Sequence, residues 1–402
     1  MNLVLCNMSN ALDWKQGIVN RNFFIARELV ASGAFEQVLL VDFLAINPMG
    51  PLFGRRRTAK YAVQALCGKS GGAQTRRYGW RHRVSDWQLP GLSSQTKIRL
   101  FSGLGWAHTR ERDAEILKRV LVDEGFSAQN TVVWSYNAFA PELLDLPARL
   151  AVFDAVDDWS QHASYVRQRE VLKQNYLNIG ARADLIFTVS DGLRALFPVD
   201  KAHWIPNGVD LGVFDKSDLH DRPLELASVT KPIVGYVGTV QERLDFELLE
   251  YVCGAIPEAD FVFVGPVWGG VQHRVDALMK ACANVRFLGR RPYEAVPAYL
   301  NAMDVAIIPH RIDTFIQSTN PMKMYDYLAA GMPIVTTPGA GTEAFARVIS
   351  IVDTPSAFAQ AIREALKDRA PQGKRQRQQA VAEHTWTNRV SQMRQALKRA
   401  MV

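Results

Sequence analysis

The chain has 402 residues, 48% hydrophobic and 22% charged, with a net charge of +7. Such values belong to a globular protein with core for two or three domains, and exclude a disordered, collagen-like or disulfide-stapled chain. No charge-free apolar run reaches the ~18 residues of a membrane span. Cys6, Cys67, Cys253 and Cys282 are scattered without metal-type spacing, so they read as reduced core thiols of a cytoplasmic protein. Residues Met1 to Met8 carry no basic region and run straight into a strand, so no signal peptide is expected.

In chain order, Leu3 to Asn7 predicts a strand, a polar loop follows to Gly17, and a helix begins near Asn20 with Phe23, Phe24, Ala26, Leu29 and Val30 on its apolar face. Val38 to Asp42 predicts the second strand. This strand–loop–helix–strand opening is that of a doubly wound parallel sheet. Further strands are predicted at 131–134, 150–153 and 185–188, with a long helix over about 159–181 and a helix cap at Ser190.

Charge is unevenly spread. Residues 51–110 hold twelve Lys/Arg against Asp86 alone, so this segment carries +11 and the remainder −4. Arg55, Arg56, Arg57, Arg76 and Arg77 alternate with aromatics such as Trp80, a composition suited to an anionic membrane interface and an acceptor held there. A solvated loop is the plain alternative. Nucleic acid would suit the same charge, but no nucleic-acid motif accompanies it, and none is expected as a partner.

After a turn-rich crossing at His203 to Asp210, a second α/β set is predicted, with strands at 233–238, 261–265, 285–289, 305–309 and 334–337. The tail, 377–402, predicts a helix with Trp386, Val390, Met393 and Leu397 on one stripe. Candidate domains are therefore 1–205, with the basic insertion 51–110, then 206–376, then the final helix.

Within the second set, Ser318 to Thr337 is the most informative stretch. Asn320 suits a helix N-cap, Pro321 the first helical position, and Gly331 a left-handed end before the strand. Lys323 opposes the helix dipole in the first turn, a misfit that an anion bound there would remove. Asp326, one turn on, suits ligand hydroxyls. Phosphate plus hydroxyls describes a nucleoside diphosphate. A simple Lys323–Asp326 surface pair is the other reading.

Asn320-Pro-Met-Lys-Met-Tyr-Asp-Tyr-Leu-Ala-Ala-Gly-Met-Pro-Ile-Val335 resembles the nucleotide-sugar signature of GT-B glycosyltransferases, nearest to the family 4 type of teichuronic-acid transferases. Around Met322-Lys323 it is similar to the xanthan glucuronosyltransferase. The resemblance implies an α/β fold of two Rossmann-like domains facing a cleft, linked through a Pro-Asn-Gly-Val-Asp crossing, with the last helix returning to the first domain. It implies a sugar transferred from a nucleoside diphosphate, UDP foremost, to a lipid-linked or polysaccharide acceptor; the basic segment adds a peripheral location on the inner face of the plasma membrane. It also implies Lys323 on the diphosphate and Asp326 on the ribose, with Pro321 and Met322 bordering the nucleotide. Ser318 stands where family 4 usually has Glu, which places Ser318 and Asn320 beside the donor sugar.

Gly238, Thr239 and Arg243 follow a strand directly and are candidate phosphate contacts. Arg290 ends another strand, where the family borders the base; it also reads as solvent-facing. His310 is a candidate for the donor sugar, or a structural histidine. For a general base, which an inverting transfer needs, Asp157 and Asp158 just past strand 150–153 lead, because paired carboxylates raise one another's pKa. Asp158 also reads as a helix cap, and Asp13 in the first loop is the runner-up base. No metal or other cofactor is expected. Other readings are a nucleotide-sugar epimerase and a catalytically silent subunit of the same fold.

Overall fold

The computed structural model describes residues 1–9, 11–42, 75–78, 82–103, 110–215, 221–368 and 370–401. In the first domain the described strands are β1 (Asn2–Cys6), β2 (Gln37–Val41), β3 (Thr75–Tyr78), β4 (His82–Asp86), β5 (Lys97–Gly103), β6 (Thr131–Ser135), β7 (Leu150–Ala155), β8 (Leu185–Thr188) and β9 (Ala202–Trp204). They form one sheet ordered β3-β4-β5-β2-β1-β6-β7-β8-β9. From β5 to β9 every pairing is parallel. The central strands are buried along their whole length, as continuous apolar runs such as Leu3-Val-Leu5 and Val132-Val-Trp134 require. Order reverses between β1 and β6, which puts a crevice at their C-terminal ends.

The second domain has β10 (Ile233–Val237), β11 (Asp260–Val264), β12 (Val285–Gly289), β13 (Val305–Ile308), β14 (Ile334–Thr336) and β15 (Ser350–Ile351), all parallel in the order β12-β11-β10-β13-β14-β15. Helices cover both faces, burying for example Leu249, Val252 and Ile362 on one side and Leu300, Tyr327 and Leu328 on the other.

Three expectations change. Within the basic insertion, the described residues extend the sheet: β3 and β4 pair antiparallel and join β5 at the edge. Arg99, which counted toward a solvent-facing charge, is 4% exposed and ion-paired with Asp86 and Glu124. Arg76 pairs with Asp123 at 3.3 Å, while Arg77 is exposed. In β5, Ile98 and Leu100 enter one core and Phe101 another, which the arginine count hid. Arg55, Arg56, Arg57 and Trp80 lie outside the described residues. The long helix at 159–181 resolves into a turn, a short 3-10 segment Ala163–Gln168, and a helix Arg169–Arg182. The tail is two helices, Pro371–Val381 and Trp386–Ala400. The former packs on the second domain through Arg377, whose Nε donates to Gly331 O at 2.9 Å, and through Val381.

The helix Trp386–Ala400 crosses back. Trp386, Val390, Met393 and Leu397 enter the first-domain core, and Trp386 stacks on Phe24 with centroids 5.1 Å apart. The two chain crossings run side by side: Val209 N–H donates to His384 O and Trp386 N–H to Val209 O. Arg21 binds them from below. Its Nε reaches both carboxylate oxygens of Asp154 at 3.0 and 3.2 Å, and its Nη1 reaches Pro206 O and the Asn207 side chain. Arg389 donates to Asn207 O at 3.2 Å.

Candidate functional site

The helix Met322–Ala329 starts one residue later than its sequence suggests, with Pro321 at the cap position. Asn320 does not cap it. Its Oδ1 accepts from Asn207 N–H at 2.9 Å and from the Tyr325 hydroxyl at 3.0 Å, and its carbonyl accepts from the Asn207 amide. Asn320 therefore fastens the second domain to the crossing through its Oδ1 and its carbonyl. Ser318 is likewise spent on the domain contact. Its hydroxyl donates to Phe315 O at 2.7 Å and accepts from Asp158 N–H at 3.2 Å, while its carbonyl accepts from Ser190 Oγ. Pro321 is buried beside them, and Met322 points to the first-domain core.

Lys323 extends from the first turn toward the end of β10. Its Nζ lies 5.2 Å from the centre of the Tyr236 ring. Gly238 makes room for it: with φ +148 it adopts a conformation side chains rarely take, and a methyl there would meet Lys323 Cε at 2.8 Å. Thr239 O receives the Tyr236 hydroxyl at 3.0 Å, which holds the turn. Arg243 comes from the same loop, its guanidinium 5.4 Å from the Phe315 ring centre. The loop is tied to the end of β13, since Asp245 N–H donates to Pro309 O and Arg311 N–H to Arg243 O, each at 2.9 Å.

Two cations thus share a largely desolvated place. Burial, followed by the field of Arg243, pushes the Lys323 ammonium down to about 7, against the opposing pull of Asp326 and Asp157. Among the described residues no carboxylate comes within salt-bridge distance of Lys323, so the surface-pair reading with Asp326 is not what forms. Asp326 is instead held by Tyr293, whose hydroxyl donates to Oδ1 at 2.9 Å. Burial pushes the Asp326 carboxyl up to about 7.

His310 is 2% exposed, and its Nε2 has no hydrogen-bond partner among the described residues. Burial, then Lys323 and Arg243, hold it well below the ordinary histidine range, so it is neutral. Arg290 sits at the end of β12, two strands from β10, and its carbonyl accepts from Arg291 Nη1.

From the first domain, Asp157 lies just beyond β7 and feels Arg243 and Lys323 across the cleft. Burial is the main cause that lifts its carboxyl to about 6. Its carbonyl accepts from the Tyr176 hydroxyl at 2.8 Å, which fixes the loop. Asp158 closes a turn well before the helix, its Oδ1 accepting from Ser160 N–H at 3.0 Å and from Ser160 Oγ at 2.6 Å. Asp13 is in a short helix, Ala11–Lys15, at the end of β1, close enough to raise the buried Asp42. A pocket of about 310 Å³ adjoins Arg243 and is lined from both domains, by Gln161 and His162 on one side and Phe246, Arg274 and Arg311 on the other. Among the described residues no cluster of three or more His, Cys, Asp or Glu is placed to hold a metal ion.

Gly238, Thr239, Arg243, His310, Lys323, Asp326 and Asp157 are thus gathered at the facing strand ends. Tyr293 and Arg21 were not singled out from the sequence, and Asn207 entered only as part of the Pro-Asn-Gly-Val-Asp crossing. Tyr293 acts 33 residues from Asp326, a pairing no local pattern announces.

A family model described as "Glycosyl transferases group 1" matches residues 231–368. Over 177 residues the chain is 29% identical to the putative teichuronic acid biosynthesis glycosyltransferase TuaH of Bacillus subtilis (strain 168), a match covering 42% of this chain and 44% of that relative. Sucrose-phosphate synthase from Thermosynechococcus elongatus superposes with a TM-score of 0.71 at 16% identity, over 99% of this chain and 98% of that one. Anabaena HepE, solved with UDP-glucose, gives a TM-score of 0.66 at 12% identity over 99% of both. Residues 231–368 thus match the glycosyl transferases group 1 model, in a chain whose two facing α/β domains have the GT-B fold of these solved structures.

Proposed function

We propose that the protein is a glycosyltransferase that moves a sugar from a nucleoside diphosphate, UDP first among them, to a lipid-linked or polysaccharide acceptor on the first domain. Lys323 carries the reading: an ammonium pushed down to about 7 beside Arg243 is a cationic pair in want of an anion. A diphosphate at the N-terminus of the helix Met322–Ala329 supplies one, and the helix dipole adds to the attraction. The UDP-glucose bound by HepE agrees with such a donor, and the name of TuaH with a cell-wall or exopolysaccharide product.

In this reading Asp326, oriented by Tyr293, accepts the ribose hydroxyls, Gly238 and Thr239 approach the phosphates through their backbone, and His310 faces the donor sugar. Asp157 takes the proton from the acceptor hydroxyl as its oxygen attacks the anomeric carbon. The bond from that carbon to the diphosphate oxygen breaks, and the electron pair leaves with the diphosphate. Lys323 and Arg243 meet the charge that develops there, so a metal ion is not required. A carboxyl titrating near 6 is ionised at neutral pH yet basic enough to take the proton. Asp13 is the second candidate for the base. Arg55, Arg56, Arg57 and Arg77 are proposed to hold the enzyme on the anionic inner face of the plasma membrane. No described helix is long and apolar enough to cross it.

The test is a thermal-shift series with UDP, GDP, ADP and TDP on the wild type, Lys323→Ala and Asp157→Asn. At about 100-fold excess over Kd a ligand adds roughly 2.7 kcal/mol. One diphosphate is expected to shift the wild type and Asp157→Asn but not Lys323→Ala, while Asp157→Asn loses turnover of labelled donor with membrane extract. No shift with any diphosphate would refute the donor site. A second reading, a catalytically silent subunit, rests on Ser318 being spent on the domain contact. It would be favoured by nucleotide binding without turnover in the wild type.

A further inference from the structure

Among the described residues, the first domain contains a set of buried polar groups without partners around the end of β1. Asn7 immediately follows β1 and is 2% exposed, yet neither its Oδ1 nor its Nδ2 has a hydrogen-bond partner among the described residues. Ser9 Oγ and the indole N–H of Trp14, on the loop and helix that follow, are also buried and unpartnered. Leaving such atoms desolvated is costly, and native proteins rarely do so without a reason.

Register brings a carboxyl beside them. Cys6 pairs with Val41, so Asn7 and Asp42 are the next residues on adjacent strands, one strand spacing of about 4.8 Å apart. Leu3 and Leu5 share a core face with Val38 and Leu40, and alternation puts Asn7 and Asp42 on that same face. Asp42 Oδ1 accepts from Ala11 N–H at 2.8 Å. Burial, with Asp13 adding to it, pushes its carboxyl up to about 7, so at neutral pH it both donates and accepts.

The ligand class follows from the groups. An amide, a hydroxyl, an indole N–H and a half-ionised carboxyl offer mixed donors and acceptors, which match hydroxyls. A phosphate would face two carboxylates, Asp13 and Asp42. Position adds a further constraint. From β1 to β7 is two strand spacings, roughly 10 Å, so this corner is about two linked rings from the Asp157 side of the cleft.

We propose that Asn7, Ser9 and Asp42 form a carbohydrate subsite of the acceptor, holding a neutral, hydroxyl-bearing ring one unit removed from the ring that receives the new bond. The proposal rests on the transferase reading above, and it makes the acceptor a glycan of at least two sugars at its reacting end.

Saturation-transfer NMR on the full chain with cellobiose, maltose and lactose tests it, on wild type, Asn7→Leu and Ser9→Ala, with the UDP thermal shift recorded in parallel. At least one disaccharide is expected to receive saturation from the wild type. That signal is expected to fall at least tenfold in Asn7→Leu and severalfold in Ser9→Ala, with the UDP shift unchanged. Asn7→Leu is also expected to melt higher than wild type, because it removes an unpaired buried amide; a purely structural Asn7 would give the opposite. Absence of saturation in the wild type, or equal saturation in both variants, overturns the proposal. A missing UDP shift alongside intact sugar binding would count against the donor site instead.

Discussion

Tyr293 joins the two halves of the molecule to Asp326: its hydroxyl donates to Asp326 Oδ1 at 2.9 Å, and its ring meets Phe24 of the first domain edge-on at 5.3 Å. Its backbone N–H also donates to Gly17 O across the cleft at 3.0 Å. The carboxyl proposed for the ribose is therefore oriented by a residue that also senses whether the domains are together. In Tyr293→Phe the ring contact survives and the hydrogen bond is lost. UDP affinity measured by calorimetry should drop about tenfold, the effect of roughly 1.4 kcal/mol, while the melting temperature moves little.

Lys323 and Asp326 give the free protein an unusual pH profile. A carboxyl raised to about 7 keeps its proton in the folded state after the unfolded chain has lost it, so its contribution to stability falls as pH rises from about 4 to 7. An ammonium lowered to about 7 works the other way, and stability recovers between about 7 and 10.5. The melting temperature of the free protein should therefore dip near neutrality. Lys323→Met should remove the alkaline recovery, raise stability at pH 7 and abolish the UDP shift. A flat profile between pH 5 and 10 would contradict this.

Gly238 tolerates no side chain. Gly238→Ala brings a methyl to 2.8 Å from Lys323 Cε in a backbone conformation that favours glycine. The expected cost is about 1–3 kcal/mol by urea denaturation, with weaker nucleotide binding as Lys323 is displaced.

Trp386→Ala empties a site where the indole stacks on Phe24 and is 1% exposed. Denaturation should show a loss of about 3–5 kcal/mol, concentrated in the first domain although the mutation lies beyond the second.

Much of this architecture was legible because parallel strands buried on both faces are written as unbroken apolar runs. Leu3 to Leu5, Val132 to Trp134 and Val305 to Ile308 could hardly be read otherwise. The edge was not legible in the same way. β4 and β5 mix Arg83, Lys97 and Arg99 among their apolar residues, and Arg99 is buried with Asp86 and Glu124 as ion-pair partners. Lys323 was readable from its conflict with the helix dipole, and the structure gives that conflict a location beside Arg243. Asn320 misled because a good capping residue is also a good clamp, and the competing partner, Asn207, is 113 residues away. Asn7 had no local signal at all: only the register of β1 with β2 sets it next to Asp42.

The helix Trp386–Ala400 completes the first-domain core only after the entire second domain has passed in chain order. Until it docks, Phe24 lacks its stacking partner and the face formed by Leu3, Leu5, Val38 and Leu40 stays partly uncovered. The first domain, encoded first, is thus completed by the last residues of the chain. The two chain ends of the first domain are thus joined across the second, and the final helix is a structural part of both halves of the cleft.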